Sequence, residues 1–431
     1  MNKQGINVGL MGLGVIGSGV AGVLTQKSDK LAQEAGIPIF LRRVLEKDIS
    51  RHGMYGLKRE IFTTELDDII DDPSIDIVIE LIGGEEPAFD FIKKAICSGK
   101  HVVTANKEVL AKHGYELFAL ADKHNVELRF EASVGGGIPI ISPLMHDFAA
   151  NDIQAIHGIV NGTTNYILTR MGQEGIDFSA ALKHAQKLGY AEADPGNDVE
   201  GKDAAYKLAI LATLAFGTEV RVEDVYYEGI SKLKACDFRY ASELGYAIKL
   251  LAIARLIDNS IETRVHPVLI SRDALLAKVD GVYNAIDIEG DLVGKIILYG
   301  QGAGSSPTSS AVVADVIKIA QDMRRGIVSL PKFSAGNRYQ IRPMPEIETR
   351  FYIRISILDQ YGVLAQISRV LGDNFISIAS VIQKETDLSN KTAEIVIMTH
   401  PAKEAAVQKA LRELKNLKVV KEVSNIIRVK D

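Results

Sequence analysis

Residues 8–19 read VGLMGLGVIGSG. An apolar run ends at Gly12, and Gly12-Leu13-Gly14-Val15-Ile16-Gly17 then sets three glycines at the G-x-G-x-x-G spacing. That spacing alone describes any tight turn. Here it lies between INVGLMG, which reads as a buried strand, and VIGSGVAGVLTQK, which reads as a helix. In that context each glycine has a task. Gly12 permits the turn, Gly14 lets a pyrophosphate approach the backbone, and Gly17 lets helix and strand pack closely. Val15 and Ile16 open the helix, whose first N–H groups face the phosphate.

Reading outward, IFLRRVLE and IDIVIELIGG are further strands, since β-branched and apolar residues dominate them and glycine ends the second. AFDFIKKAICSGK is a helix with a glycine stop, and HVVTAN is another strand. Strands alternating with helices predict an α/β, Rossmann-type doubly wound parallel sheet over residues 1–138. Its second strand should end at the ribose. Glu46 there would accept from a 2′-hydroxyl and favour NAD, whereas Arg43, Lys47 and Arg51 would hold a 2′-phosphate and favour NADP. Both cofactors stay open.

Past residue 138 the pattern changes. IHGIVNG, TRVHPVLI and KIILYG read as strands of a second sheet, mixed with helices such as DAAYKLAILATLAFG, in a second α+β domain over 139–299. SLPKFSAGNRYQIRPMPEI, with three prolines and little periodicity, reads as a linker within 326–347. Residues 348–431 then give a small ferredoxin-like βαββαβ unit: strands RFYIRISIL, SIASVIQKE, TAEIVIMTH and VSNIIRVK, helices GVLAQISRVLGDN and AKEAAVQKALREL.

Composition narrows the function classes. The formal net charge of −5 gives no general pull toward nucleic acid or anionic membrane. No stretch approaches the roughly 20 apolar residues needed to span a bilayer. Two cysteines far apart, Cys97 and Cys236, exclude a disulfide framework. MNKQGINVGLMG is not built as a signal peptide, because glycines interrupt its apolar run. The expectation is a cytoplasmic protein.

Three stretches carry candidate chemistry. Residues 189–207, GYAEADPGNDVEGKDAAYK, gather Glu192, Asp194, Asp198, Glu200 and Asp203 around a turn and then open an apolar helix. Asp203 and Lys207 stand one helical turn apart, a spacing that by itself describes a solvated ion pair of about 0.3–0.5 kcal/mol. As chemistry, a lysine with an ordinary pKa near about 10.4, raised further by a neighbouring carboxylate, would rest as an ammonium. It would suit donation to an alkoxide better than proton abstraction. HVVTANK ends a strand at Asn106-Lys107, where parallel sheets line their ligand crevice; a surface lysine is the plain alternative. EASVGGGIP joins Glu131 to three glycines. Carbonyls plus a carboxylate suit a hard cation, although the spacing alone favours a flexible turn.

These stretches together resemble homoserine dehydrogenases. GLGVIGSG, VIELIGG, HVVTANK, EASVGGGIPI, GIVNGTTNYIL, LGYAEADPGNDVEGKDAAYKLAIL and YGQGAGSSPTSSAVVADV occur in order from about residue 6 to about residue 320. The C-terminal unit resembles an ACT domain. The resemblance implies interconversion of L-homoserine and L-aspartate 4-semialdehyde with NAD or NADP, a step toward threonine, isoleucine and methionine. It maps the catalytic lysine onto Lys207 and its partner acid onto Asp203. It maps substrate-binding acids onto Glu192 and Asp198, and a lysine touching both substrate and cofactor onto Lys107. Thr104 and Gly302 join the cofactor side, so a segment at about 300–325 would complete the nucleotide domain. A sodium-like site maps onto Glu131, Val134, Gly136 and Ile138, the last three through backbone carbonyls. Asn161, Thr163 and Asn165 of NGTTN either face substrate or cap a helix. Asp359 and Gly362, in the first strand–helix loop of the ACT unit, are where such modules bind an effector, here expected to be threonine. Association as a homodimer or homotetramer is also implied.

Overall fold

The computed structural model describes residues 4–49, 56–328, 339–387 and 391–430; Arg51 lies outside them. The chain divides into two compact units. One comprises residues 1–154, 206–222 and 288–338, the other 155–205, 223–287 and 339–431.

In chain order the first unit holds β1 (Ile6–Met11), α1 (Val15–Gln26), α2 (Ser28–Ala35), β2 (Ile39–Leu45), β3 (Phe62–Thr63) and α3 (Asp67–Ile70). Then come β4 (Ile77–Glu80), α4 (Ala88–Cys97), β5 (His101–Thr104), α5 (Lys107–His124) and β6 (Leu128–Arg129). The sheet order is β3-β2-β1-β4-β5-β6, with every pairing parallel. The order reverses between β1 and β4, and the carboxyl ends of strands at such a reversal open a ligand crevice. Helices cover both faces, so the central strands are apolar throughout rather than alternating. Val8, Leu10, Met11, Ile77, Val78 and Ile79 are all fully buried. The predicted strand HVVTAN stops two residues early, at Thr104. Asn106 turns the chain, and its side chain accepts from the Val109 N–H to cap α5, a helix absent from the sequence reading.

The rest of the chain supplies β7 (Ile153–Ile159), α6 (Gly162–Glu174), α7 (Phe178–Lys187), α8 (Gly196–Val199), α9 (Lys202–Phe216), β8 (Tyr226–Tyr227) and α10 (Ala235–Glu243). They are followed by β9 (Tyr246–Ile257), β10 (Ser260–Ser271), β11 (Tyr283–Gly290), β12 (Gly294–Gln301) and α11 (Ser305–Arg325). TRVHPVLI and KIILYG fall in β10 and β12, whereas IHGIVNG leaves β7 after Ile159 and runs into the start of α6. The long β9–β10 hairpin turns on Asp258 and Asn259, both at positive φ, as two-residue hairpin turns require.

The C-terminal part runs β13 (Gln340–Ile341), β14 (Glu348–Leu358), α12 (Val363–Asp373), β15 (Ile378–Asp387), β16 (Thr392–Thr399), β17 (Ala402–Lys403), α13 (Glu404–Lys415) and β18 (Val420–Val429). Its strand β18 pairs antiparallel with β14 and parallel with β10. Within the second unit one sheet therefore continues β7-β9-β10-β18-β14-β16-β15. Gln340–Ile341, in the stretch read as linker, pairs with Ser260–Ile261.

Candidate active site

In the first unit the glycine turn is built as its spacing requires. Gly12 has φ +92°, and a Cβ there would meet the Leu81 carbonyl oxygen at 2.8 Å. A Cβ on Gly17 would stand 2.1 Å from the Gly12 oxygen, so only hydrogen fits between strand and helix. Gly14 faces open space, and Val15 beside it is 74% exposed, a costly placement for valine unless something covers it. Ser305 and Ser309 of α11 donate to the carbonyls of Val15 and Ile16 at 2.9 and 3.3 Å, which ties the late helix to this turn. The residues present fit a dinucleotide.

Glu46 reaches back into the same turn, accepting from the Leu13 N–H at 2.9 Å. Arg43 instead donates to the Glu60 carbonyl, and Lys47 is exposed.

At the carboxyl ends of β4 and β5 lies a network the sequence reading did not single out. Glu80 is completely buried, and burial pushes its carboxyl pKa up. It accepts from Thr104 Oγ1 at 2.7 Å and from the Ile82 and Gly83 N–H groups. Thr104 Oγ1 in turn accepts from the Asn106 N–H, and Asn106 Nδ2 donates to the Gly84 carbonyl. Thr104 is thus engaged within the protein, and its network fixes the chain that presents Lys107. Lys107, half-buried, opens α5. The next residue, Glu108, accepts from Tyr206 Oη at 3.2 Å. Tyr206 precedes Lys207, so this side-chain bond links the turn of α9 that carries Lys207 to the turn of α5 that carries Lys107.

The oxygen cradle belongs to this unit too. Glu131 is buried, and its carboxylate accepts from the N–H groups of Ile140, Ile141 and Ser142 at 2.6, 2.8 and 2.8 Å. Val134 and Ile138 are buried, and Gly136, at φ +56°, lies against the Gly302 carbonyl. A carboxyl group that accepts from three amides has one acceptor position left for a cation. Such a set fits a hard ion of low charge better than a bare dication. Among the described residues no group of three or more His, Cys, Asp or Glu side chains forms a metal cluster. Asp315, buried against Glu131, accepts from its N–H, and burial pushes the Asp315 carboxyl up to about 7.

The second unit holds the acids. Asn161 Oδ1 caps α6 by accepting from the Thr164 N–H at 2.9 Å. Its Nδ2 donates to Asp198 Oδ1 at 2.7 Å and to Asp203 Oδ2 at 2.8 Å. One amide thus caps a helix and gathers two carboxylates. Thr163 Oγ1 holds the Tyr190 carbonyl, anchoring the acid turn to α6. Asn165 turns away, donating to the carbonyls of Val279 and Tyr283. Glu192 is exposed on the turn, and among the described residues its carboxylate makes no hydrogen bond. Helix α9 carries Asp203 and Lys207, and only 3% and 8% of their surfaces are exposed. The solvated surface pair that spacing suggests is therefore overturned. Buried charges are kept where partners or function hold them.

The comparisons with known proteins agree over the whole length. Family models match the homoserine dehydrogenase NAD-binding domain at residues 12–131, the homoserine dehydrogenase domain at 139–317 and the ACT domain at 351–419. The homoserine dehydrogenase of Helicobacter pylori is 43% identical over the full length of both chains. The chain belongs to the homoserine dehydrogenase family. The crystal structure of a homoserine dehydrogenase from Thiobacillus denitrificans superposes with a TM-score of 0.93 at 44% identity and 100% coverage of each chain. A hyperthermophilic archaeal homoserine dehydrogenase in complex with NADPH covers 73% of this chain and 97% of its own, with a TM-score of 0.62 at 28% identity. As a homoserine dehydrogenase the protein is an NAD(P)-dependent oxidoreductase acting on a CH–OH group, with homoserine and aspartate semialdehyde as substrates. Among the described residues no helix is long and apolar enough to cross a membrane.

Proposed function

We propose that the enzyme works physiologically as a reductase of L-aspartate 4-semialdehyde, with Lys207 as the proton donor. The bound nicotinamide supplies the hydride that the aldehyde carbon accepts. Lys207, as an ammonium, gives a proton to the developing alkoxide, and Asp203 holds that charge and its direction. Glu192, with its carboxylate unengaged, takes the substrate α-ammonium; Asp198 supports it, and Lys107 steadies the other end of the substrate beside the cofactor. The single observation that carries this reading is the burial of Asp203 and Lys207 on one helix turn, with Asn161 fixing the acid. Nicotinamide oxidation with aspartate semialdehyde tests it. Wild type turns over, and Lys207→Ala loses about 10²–10⁴-fold in kcat. Absence of wild-type turnover sinks the reading, and full activity in Lys207→Ala sinks the role of that lysine.

The same reading extends to the unassigned ligands. Gly12, Gly14, Val15, Ile16 and Gly17 hold the pyrophosphate, with Thr104 and Gly302 shaping the adjoining walls. Glu46 favours a 2′-hydroxyl, so NAD is accepted, while Lys47 and Arg43 are the groups a 2′-phosphate would recruit. Glu131, with the carbonyls of Val134, Gly136 and Ile138, holds a monovalent cation such as sodium. Threonine is the effector at Asp359 and Gly362; Gly362, at φ +80°, caps α12 there. Tyr361 and Phe375, almost wholly exposed, favour association into a homodimer or homotetramer. A cytoplasmic location fits a nicotinamide-dependent step of amino-acid biosynthesis.

A further inference from the structure

A cavity of about 640 Å³ lies wholly within the second unit, between the C-terminal module and the backbone that carries the substrate acids. Small-molecule sites typically run from about 300 to about 1,000 Å³. Helix α13 brings Arg412 and Lys415 to one wall, while Glu200, Glu228 and Lys232 line the other. The two carboxylates are already oriented. Glu228 Oε2 accepts from Arg428 Nη1 at 2.9 Å and from Tyr226 Oη at 3.1 Å, and Glu200 Oε1 accepts from Ser231 Oγ at 2.9 Å. The cations are not engaged: among the described residues Lys232, Arg412 and Lys415 form no ion pair. Val423, Ile426 and Leu411 add apolar surface between the charges.

We infer that this cavity is a second effector site, for a zwitterionic α-amino acid, distinct from the Asp359–Gly362 loop. The carboxylate of such a ligand would lie on Arg412 and Lys415, where a planar guanidinium recognises it in bidentate fashion. Its ammonium would face Glu200 and Glu228, and its side chain the apolar patch. The volume leaves room for water around a ligand of that size.

The position gives the site a consequence. Glu200 stands two residues after Asp198 and three before Asp203. Gly229, also in the cavity wall, lies so close that a Cβ there would meet the Val199 oxygen at 2.4 Å and Glu200 Cα at 2.5 Å. The next residue, Ile230, donates its N–H to the Val199 carbonyl at 2.8 Å. A ligand pulling Glu200 or the 228–230 segment thus moves the turn that holds both acids against Asn161.

Isothermal titration of the full-length enzyme with L-threonine, L-methionine and L-isoleucine tests this. Binding is read directly, so it does not depend on the catalytic assignments above. An Arg412→Glu/Lys415→Glu variant with wild-type basal turnover is expected to bind the effective probe about 10- to 100-fold more weakly, the range for lost charge-assisted bonds, while Asp359→Ala keeps that affinity. Lys232→Glu, on the opposite wall, gives the same loss should the double variant misfold. Failure of every probe to bind wild type overturns the site. So does unchanged binding in the cavity variants, including the case in which they alter only the oligomeric state.

Discussion

Two buried regions of the molecule are built from different materials. Along β1 and the inner part of β4 the nucleotide unit buries an aliphatic cluster that includes Val8, Leu10, Ile77, Ile79, Val20 and Val312. Where the C-terminal module meets the preceding part of the second unit, the interior is ionic. Arg354 on β14, 1% exposed, donates to Asp237 on α10 through Nε at 2.7 Å and Nη2 at 3.3 Å. Asp237 also accepts from Tyr352 Oη, Asn425 Nδ2 and the Lys234 N–H. Arg428 on β18 is held by Glu404 through two bonds and by Glu228 through a third. An aliphatic core is tolerant in detail, since any well-packed apolar residue serves. A buried charge network accepts one arrangement, because each member left alone is an uncompensated charge. The first suits a scaffold, and the second fixes how a module sits on its neighbours.

Breaking the network should therefore cost most. Arg354→Ala strands Asp237 and is expected to destabilise the protein by about 3–5 kcal/mol in denaturant unfolding. An Arg354→Met/Asp237→Leu double substitution should recover most of that, and equal losses in both proteins would refute the charge account. Next in size is Asn161→Ser. Serine still caps α6 but cannot bridge Asp198 and Asp203, so the melting temperature should hold while kcat/KM falls about 10- to 100-fold. A fall in stability with kcat/KM unmoved would reduce Asn161 to a cap.

A pH effect comes third. His266 is buried beside Arg264 and Arg428, and burial, aided by those charges, holds its pKa well below the usual imidazole value. Its Nδ1 donates to the Pro267 carbonyl. The unfolded chain takes up a proton below about pH 6.5 that the folded chain refuses, so stability falls as pH drops through that region, by at most about 1.4 kcal/mol per pH unit. His266→Phe should flatten that slope in urea titrations between about pH 6.5 and about pH 5, and an unchanged slope would assign it to other groups. Smallest is Ile79→Val in the aliphatic core, about 0.5–1.5 kcal/mol. A loss rivalling that of Arg354→Ala would erase the contrast between the two regions.

The contrast also explains what the sequence revealed. The nucleotide fold was legible because its determinants are local: a glycine spacing, continuous apolar strands and helices between them. The C-terminal strands and helices were legible for the same reason. RFYIRISIL, however, alternates as though Arg350, Tyr352 and Arg354 faced water. Tyr352 and Arg354 are buried because α10, more than a hundred residues earlier, covers that face, and no periodicity carries that fact. The acid turn shows the same limit. Its carboxylates were visible, but the gathering of Asp198 with the buried Asp203 depends on Asn161, a side chain at least 37 residues away. Glu80 ends an otherwise apolar strand, and a lone carboxylate at the carboxyl end of a parallel strand was a signal available to find it. The Tyr206–Glu108 bond left no local trace.

The parallel pairing of β18 with β10 has a consequence for how this chain can be shortened or recombined. Its register, Val268 with Arg428 and Leu269 with Val429, pairs β18 with a strand 160 residues earlier in the sequence. A protein ending before residue 348 would leave the Val268–Leu269 stretch of β10 without its β18 partner, and Asp237 and Glu228 without their guanidinium partners. A chimera joined in the proline-rich stretch therefore has to supply a strand for Val268–Leu269 and guanidinium groups for Asp237 and Glu228.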